Sequence, residues 1–357
     1  MPTISVILAG GNGTRFWPMS RIKLPKQVLN ISGNDVMINE TIKRCENIIS
    51  HENNYIVTAA SQEEKIDDVM LKDVPRENVL TEPCQRNTAP CILYAALKLK
   101  KLYGDGVMCV FPSDQYITDN DEFEKIMSKA IALAEKSDKL ITLGIKPTFP
   151  STGYGYINFD NSINTDGAFP VVEFVEKPSY DKAASYVKSG NFLWNSGIFI
   201  WKISTIISNF ERYLPRIYDK MLSWYDYIGT VDEAEKLEEI YPLLQKISID
   251  FGILERSDEV LVFPADMGWN DVGSWDTLGV IFPPGENGNI VRADENALID
   301  TTDCIIYSEK QLVTTIGLNN MIIVSTDDAL MVCPKSKAQD VKRIVDELTA
   351  RGMKKYL

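Results

Sequence analysis

Three glycines, Arg15 and Lys26 fall within the first 27 residues in an order that suits phosphate chemistry. Gly10, Gly11 and Gly13 directly follow the apolar run from Ile4 to Ala9, and Thr14 and Arg15 come next. Glycines there let the backbone approach an anion closely and turn N–H groups towards it. A turn at the end of a strand is also where an open α/β sheet holds a phosphate ligand. Two common glycine patterns do not fit. A dinucleotide fingerprint needs a third glycine three positions after Gly13, where Phe16 stands. A Walker loop ends in Gly-Lys-Ser/Thr, whereas the order here is Gly13-Thr14-Arg15. Taken alone, the glycines suit a purely structural tight turn equally well. The residues that follow shift the balance. The planar fork of Arg15 suits a triphosphate and the charge that develops during transfer. Lys26, its start point fixed by Pro25, can meet a second phosphate as a point charge.

Other segments carry chemistry of their own. Asp114 closes Val110-Phe111-Pro112-Ser113-Asp114, which puts a carboxylate at the carboxyl end of an apolar strand, the ligand-facing edge of such a sheet. An aspartate there also suits a helix cap or turn. Gly153-Tyr154-Gly155-Tyr156 combines close backbone approach with two aromatic faces, as sugar sites often need. His51 is the one histidine and sits in a polar stretch, which argues against a histidine zinc site or a Ser-His-Asp triad. The six cysteines are scattered with no CxxC pair and read as reduced structural thiols.

The run from Leu8 to Arg21, with Phe16-Trp17-Pro18-Met19-Ser20-Arg21 after the glycines and Pro25-Lys26-Gln27 beyond, resembles the signature of bacterial mannose-1-phosphate guanylyltransferases (GDP-mannose pyrophosphorylases). The Phe-Trp-Pro-x-Ser-Arg portion separates that family from thymidylyl- and uridylyltransferases acting on glucose 1-phosphate. The resemblance extends through most of the chain. It implies that GTP and mannose 1-phosphate give GDP-mannose and pyrophosphate, with Gly10, Gly11, Gly13 and Thr14 on the nucleotide and Arg15, Lys26 and Asp114 catalytic. It implies Mg²⁺ held by Asp114 and by Asp271, in Trp269-Asn270-Asp271-Val272-Gly273. The family usually has histidine after the first aspartate, and Gln115 stands there instead.

Glu82-Pro83-Cys84-Gln85-Arg86-Asn87-Thr88-Ala89 matches the family's Glu-Pro-x-x-Arg-Asn-Thr-Ala motif. By that match Glu82 would accept from guanine N1 and N2, with Asn87 or Thr88 completing the contact. The same stretch also suits a helix-initiating turn. Val175-Glu176-Lys177-Pro178 is the family's Val-Glu-Lys-Pro motif. There Glu176 would accept from sugar hydroxyls and Lys177 would hold the sugar phosphate, although alone the pair suits an ordinary surface ion pair. Gly153, Tyr154, Gly155 and Asn195 would complete the sugar site. The sugar phosphate is already an anionic nucleophile, so no general base is required, and catalysis reduces to positioning and charge neutralisation.

The same chemistry with another sugar or base is the first rival. A catalytically inactive regulatory subunit is the second, and it would be expected to lose Arg15, Lys26, Asp114 or Asp271, all of which are present. Some members of the resembled family carry a further phosphomannose isomerase domain. The chain is short for one and its tail holds no histidine for that metal, so transferase activity alone is expected. The C-terminal segment is expected to make intersubunit or loop-ordering contacts, with a homodimer as the assembly.

These residues need a scaffold, and the apolar patterning supplies one. Strands are expected at Ile4–Ala9, Tyr55–Ala59, Val79–Thr81, Val107–Phe111 and Leu140–Ile145, alternating with helices at Val36–Ile49, from Thr88, and at Glu122–Glu135. That rhythm predicts an α/β fold, a Rossmann-like, mixed but mostly parallel sheet with helices on both faces. The resemblance makes it the fold of nucleotide-diphospho-sugar transferases. Later segments (Val171–Val175, Ile198–Trp201, Val260–Phe263) are expected to cover one edge of the sheet. The turn-rich Pro283–Asn289 stretch predicts a boundary, with a catalytic domain at 1–284 and a small β-rich domain at 285–357. Its closely spaced short strands suit a few coils of a β-helix, left-handed in form, closed by a helix from about Lys337 to Arg351.

The chain has 357 residues, 45% of them hydrophobic and 24% charged, ample for a full core. A net charge of −13 argues against a nucleic acid polymer as partner. The N-terminus lacks the marks of a signal peptide, and no apolar run is long enough to span a bilayer. A cytoplasmic protein without membrane contact is expected.

Overall fold

The computed structural model describes every residue except Asn12, which belongs to the glycine loop but lies outside the described residues. The strands are β1 (Thr3–Leu8), β2 (Asn54–Ala59), β3 (Val79–Glu82), β4 (Val107–Pro112), β5 (Tyr116–Ile117), β6 (Leu140–Ile145), β7 (Tyr156–Phe159), β8 (Phe169–Val175), β9 (Phe192–Lys202), β10 (Val260–Ala265), β11 (Trp269–Asn270), β12 (Ile290–Arg292), β13 (Asn296–Ile299), β14 (Ile305–Ser308), β15 (Val313–Ile316), β16 (Met321–Ser325) and β17 (Leu330–Pro334). Among the described residues nine of these form one sheet in the order β3-β2-β1-β4-β9-β6-β10-β8-β7. β9 and β8 run against all the others. The result is the expected mixed, mostly parallel sheet.

One expectation needs correction. β7 and β8 do lie towards an edge, but β9 is inserted at the centre, antiparallel between β4 and β6. It is also longer than expected, beginning at Phe192 rather than Ile198. Its residues are buried on both faces, from Phe192-Leu193-Trp194 to Phe199-Ile200-Trp201, and a strand of that kind is stable only between two neighbours.

Alternate residues of the parallel strands feed two cores. On one face Ile4, Val6, Val57, Met108 and Val110 pack against helix Thr88–Tyr103 and the helices Ile203–Tyr213 and Pro215–Tyr225. On the other, Val107, Cys109, Phe111 and Ile141 meet Phe123, Met127 and Ala130 of helix Asn120–Lys136. The period-two alternation of the strands thus meets the 3.6-residue stripe of each helix. Asn87 precedes helix Thr88–Tyr103, and its Oδ1 accepts from the Thr88 N–H at 2.8 Å.

Beyond residue 289 the strands stack in parallel, β12 on β14 on β16 and β13 on β15, with β17 antiparallel at one end. Isoleucines 290, 305 and 322 stand in register through the stack, as coils of a β-helix require. The strand β13 was not expected, because Asn296, Ala297 and Ile299 are exposed and give little apolar signal. The terminal helix comes in two parts, a 3₁₀ segment Lys335–Val341 and an α-helix Lys342–Ala350. A third core joins this unit to the N-terminal signature: Phe16, Trp17 and Trp275 pack with Ile305, Ile322, Val324 and Met331.

Candidate active site

A cavity of about 530 Å³ opens at the carboxyl ends of β1, β3 and β4. Its walls bring together Gly10, Gly11, Gly13, Glu82, Asn87, Thr88, Asp114, Gly153, Tyr154, Gly155, Glu176, Asn195 and Asp271. Thr14, Arg15, Lys26 and Lys177 are not in the wall. The segments involved span residues 10 to 271, so the sheet topology alone makes them neighbours.

The floor is held by Lys26. It is 3% exposed, and its Nζ donates to the Asp114 carbonyl at 2.8 Å, to Asp114 Oδ2 at 3.0 Å and to the Asp271 carbonyl at 2.8 Å. All three ammonium protons are therefore committed. Lys26 thus pins the two acidic segments to the signature loop, a role beyond the phosphate contact expected of it. Pairing of β5 with β11 supports the same juxtaposition, with Tyr116 opposite Asn270 and Ile117 opposite Trp269. Gly13 is needed for this approach. It has φ +57°, and a Cβ there would stand 2.3 Å from Lys26 Cβ.

Asp271 Oδ1 accepts from the Tyr154 hydroxyl at 2.6 Å. Burial, reinforced by the Asp271 charge, pushes the Tyr154 phenol well above its ordinary value and keeps it a donor. Val272, next in sequence, has φ +45° in a fully buried position, an uncommon backbone state for a β-branched residue. Asn87 (φ +68°) and Lys177 (φ +47°) share that left-handed region, so three strained residues border the cavity. Among the described residues one oxygen of each aspartate has a side-chain partner, Asp114 Oδ2 with Lys26 and Asp271 Oδ1 with Tyr154. Among the described residues no three metal-ligating side chains gather, and a divalent ion held by two carboxylates would complete its shell with substrate oxygens and water.

Arg15 reaches the site from outside. Its Nη1 donates to Gln339 Oε1 at 2.8 Å, and Gln339 Nε2 donates to Ser274 Oγ at 2.6 Å. The 3₁₀ segment thus bridges the signature loop to the loop after Asp271. Trp17 Nε1 donates to the Tyr356 carbonyl at 2.9 Å, and Trp275 Nε1 to the Trp17 carbonyl at 3.0 Å.

At the far wall Glu82 is 4% exposed and accepts from Tyr241 Oη. Burial pushes its carboxyl up to about 7, against the lowering effect of the tyrosine hydrogen bond. Thr88 Oγ1 accepts from the Ile249 N–H at 2.9 Å. Across the cavity Gly155 makes room for Glu176, since a Cβ would stand 2.6 Å from Glu176 Oε2. Lys177 pairs with Glu176 and is largely exposed. Asn195 Nδ2 donates to Asp250 Oδ1 at 3.0 Å.

Sequence reasoning did not single out Gln339 or Asp250, and it named Gln27 only as part of the signature, without a role. Gln27 lies in the cavity wall and ties the Ala9 carbonyl to Gln62.

The match to known proteins covers the whole of this arrangement. The nucleotidyl transferase family matches residues 4–283, and the mannose phosphate isomerase/GMP-like beta-helix domain matches residues 294–348. The mannose-1-phosphate guanylyltransferase of Salmonella muenchen is 37% identical over 99% of this chain and 75% of its own length. The chain belongs to the mannose-1-phosphate guanylyltransferase family of nucleotidyl transferases. The Escherichia coli (strain K12) mannose-1-phosphate guanylyltransferase is 35% identical over 97% of this chain and 73% of its own length. A solved structure from Thermus thermophilus, described as a mannose-1-phosphate geranyltransferase, superposes with TM-score 0.87 at 29% identity, covering 98% of this chain and all of that one. As a nucleotidyl transferase the chain is an enzyme, and members of its family generally use a divalent metal. No described helix is long and apolar enough to cross a membrane.

Proposed function

We propose that the cavity joins GTP to mannose 1-phosphate, releasing pyrophosphate and leaving GDP-mannose. The observation that carries the reading is Lys26 drawing Asp114 and Asp271 together beneath the glycine loop. A divalent cation, Mg²⁺ by the preference of paired carboxylates and phosphate oxygens, would neutralise charge on the phosphates when bound. The chain's own residues do the rest. Gly10, Gly11 and Gly13 leave the backbone open to the triphosphate, with Thr14 at the end of the loop. Arg15, steadied by Gln339, offers its fork to the developing charge. Lys26 acts from below as a positioning residue. Glu82, in its ionised form, accepts from guanine N1 and N2, and Asn87 and Thr88 complete that wall. Gly153, Tyr154, Gly155, Glu176 and Asn195 receive the sugar, and Lys177 swings from Glu176 to its phosphate. The sugar phosphate oxygen attacks the α-phosphorus in line, needing no base from the protein.

The same reading takes residues 1–284 as the catalytic domain and 285–357 as a brace for the signature loop. A second copy of the chain as partner is supported by exposed Ile299 and Ile316, paired across β13 and β15. A cytoplasmic setting is supported by six free cysteines. Pyrophosphate release measured with four nucleoside triphosphates and three sugar 1-phosphates, with and without Mg²⁺, tests the proposal. Turnover is expected with GTP and mannose 1-phosphate and only with the metal. A preference for dTTP or UTP would refute it.

A further inference from the structure

The proposed reading of the cavity leaves one of its carboxyls without a task. Asp250 lines the wall and opens a π-helical turn, Asp250–Leu254. Such turns are rare and frequently lie at functional sites. This one is tied at both ends to the walls. The Ile249 N–H donates to Thr88 Oγ1 at 2.9 Å, on the nucleotide side. On the other side Glu255, just after the turn, accepts from the Glu176 N–H at 3.1 Å.

Apart from its own backbone N–H, the carboxyl of Asp250 is held by Asn195, at Oδ1. Asn195 Oδ1 accepts from Thr142 Oγ1 and from the Gly197 N–H, both at 3.2 Å, which fixes the amide so that its NH₂ faces Asp250 Oδ1. Among the described residues no other residue donates to Asp250 Oδ2. A carboxyl inside a ligand-sized cavity with a spare oxygen is a hydrogen-bond acceptor awaiting a donor. Its surroundings say what kind of donor. Glu176 is a second carboxylate in the same wall, and its charge, after burial itself, pushes Asp250 up to about 7. Although Lys177 opposes them, two neighbouring carboxyls favour a neutral group that donates hydroxyls over a phosphate between them.

We infer that Asp250 is a specificity residue of the sugar subsite, accepting a hydroxyl of the hexose at Oδ2 while Asn195 holds Oδ1. The inference rests on the sugar 1-phosphate reading of the cavity. Asp250 and Asn195 then act as one unit in the sugar wall, the amide also setting the angle of the carboxyl.

The full-length chain carrying Asp250→Asn or Asp250→Ala tests it, with pyrophosphate release followed at varied GTP and varied mannose 1-phosphate. Loss of a hydrogen bond to a charged group should lower kcat/KM for the sugar phosphate about 10- to 100-fold. The KM for GTP should move less than about twofold. Monodeoxy analogues of mannose 1-phosphate supply a control that does not depend on variant folding. One analogue should lose a similar factor with the unaltered enzyme and no further factor with Asp250→Asn. Sugar kinetics retained within about twofold by both variants, GTP and sugar affinities falling together, or no analogue losing activity with the unaltered enzyme would each overturn the inference. If the unaltered enzyme turned over no sugar 1-phosphate at all, the reading beneath it would fall, and that result is distinct from turnover that ignores Asp250.

Discussion

The Nζ of Lys26 lies 3.0 Å from Asp114 Oδ2, with the lysine sealed in the protein and the aspartate carboxyl 42% exposed towards the cavity. The cation therefore serves the aspartate from behind and leaves its open face free. Lys26→Met keeps the alkyl stem and removes the charge. The two carbonyls and Asp114 would lose their shared donor, and because the carboxylate is partly solvated the cost in stability should be about 1–3 kcal/mol. Activity should fall further, by about 100-fold or more in kcat, since the acidic pair loses its alignment. Thermal unfolding beside steady-state kinetics checks both, and a variant that keeps full kcat would rule out the positioning role.

Gln339→Ala removes a contact that lies on the surface, so stability should barely change. Arg15 would lose its anchor, and one exposed hydrogen bond of about 1 kcal/mol corresponds to about a fivefold fall in kcat. Gln339→Glu should restrain Arg15 more tightly and also lower kcat, by setting a carboxylate against the guanidinium. Unchanged kcat in both variants would show that the C-terminal unit does not govern Arg15.

Gly155→Ala should raise the KM for the sugar phosphate while sparing the KM for GTP. The added methyl would meet Glu176 Oε2 at 2.6 Å and push that side chain aside. Gly13→Ala should behave differently, because the clash is with Lys26 Cβ at 2.3 Å in a left-handed backbone. There both kcat and stability should fall, the latter by about 1–3 kcal/mol. The two variants together separate the sugar wall from the floor.

Glu82 gives a pH signature. Its folded-state carboxyl titrates near 7, above the ordinary 4.5, so the folded chain binds a proton there that the unfolded chain has released. Stability must therefore fall as pH rises from about 4.5 to about 7 and level off above that. Glu82→Gln should flatten this slope by about 1–3 kcal/mol across the window. Urea unfolding of the ligand-free protein at pH 5 and pH 7.5 measures it. An equal slope in both proteins would show that Glu82 does not hold the proton.

Much of this architecture is legible in the residues because buried parallel strands are continuous apolar runs, as at β1, β2 and β4, and the helices between them carry clean 3.6-residue stripes. Strand order is not legible in the same way. The segment Trp194-Asn195-Ser196-Gly197 gives no strand signal before Ile198, yet it belongs to the first half of β9, with Gly197 at φ +75° permitting the irregularity. The glycine loop and both aspartates announce themselves through motifs. Asp250 does not, since a π-turn has no apolar period and its partner Asn195 is 55 positions away. Gln339 is an exposed amide on a short helical segment, and only the folded contact with Arg15 gives it meaning. Lys26 was legible as a cation of the site but not as one whose protons are all taken by protein oxygens.

The bridges from Arg15 to Gln339 and from Trp17 to Tyr356 have a consequence for synthesis. They span 324 and 339 positions of sequence. The sheet that carries Asp114 can assemble while the ribosome is still translating, because its contacts are made among earlier residues. The signature loop emerges more than 300 residues before its partners and must wait, unbraced, until Gln339 and Tyr356 clear the exit tunnel. A nascent chain would thus complete the cavity only once Asp271 has emerged, and Arg15 would stay unrestrained until Gln339 follows.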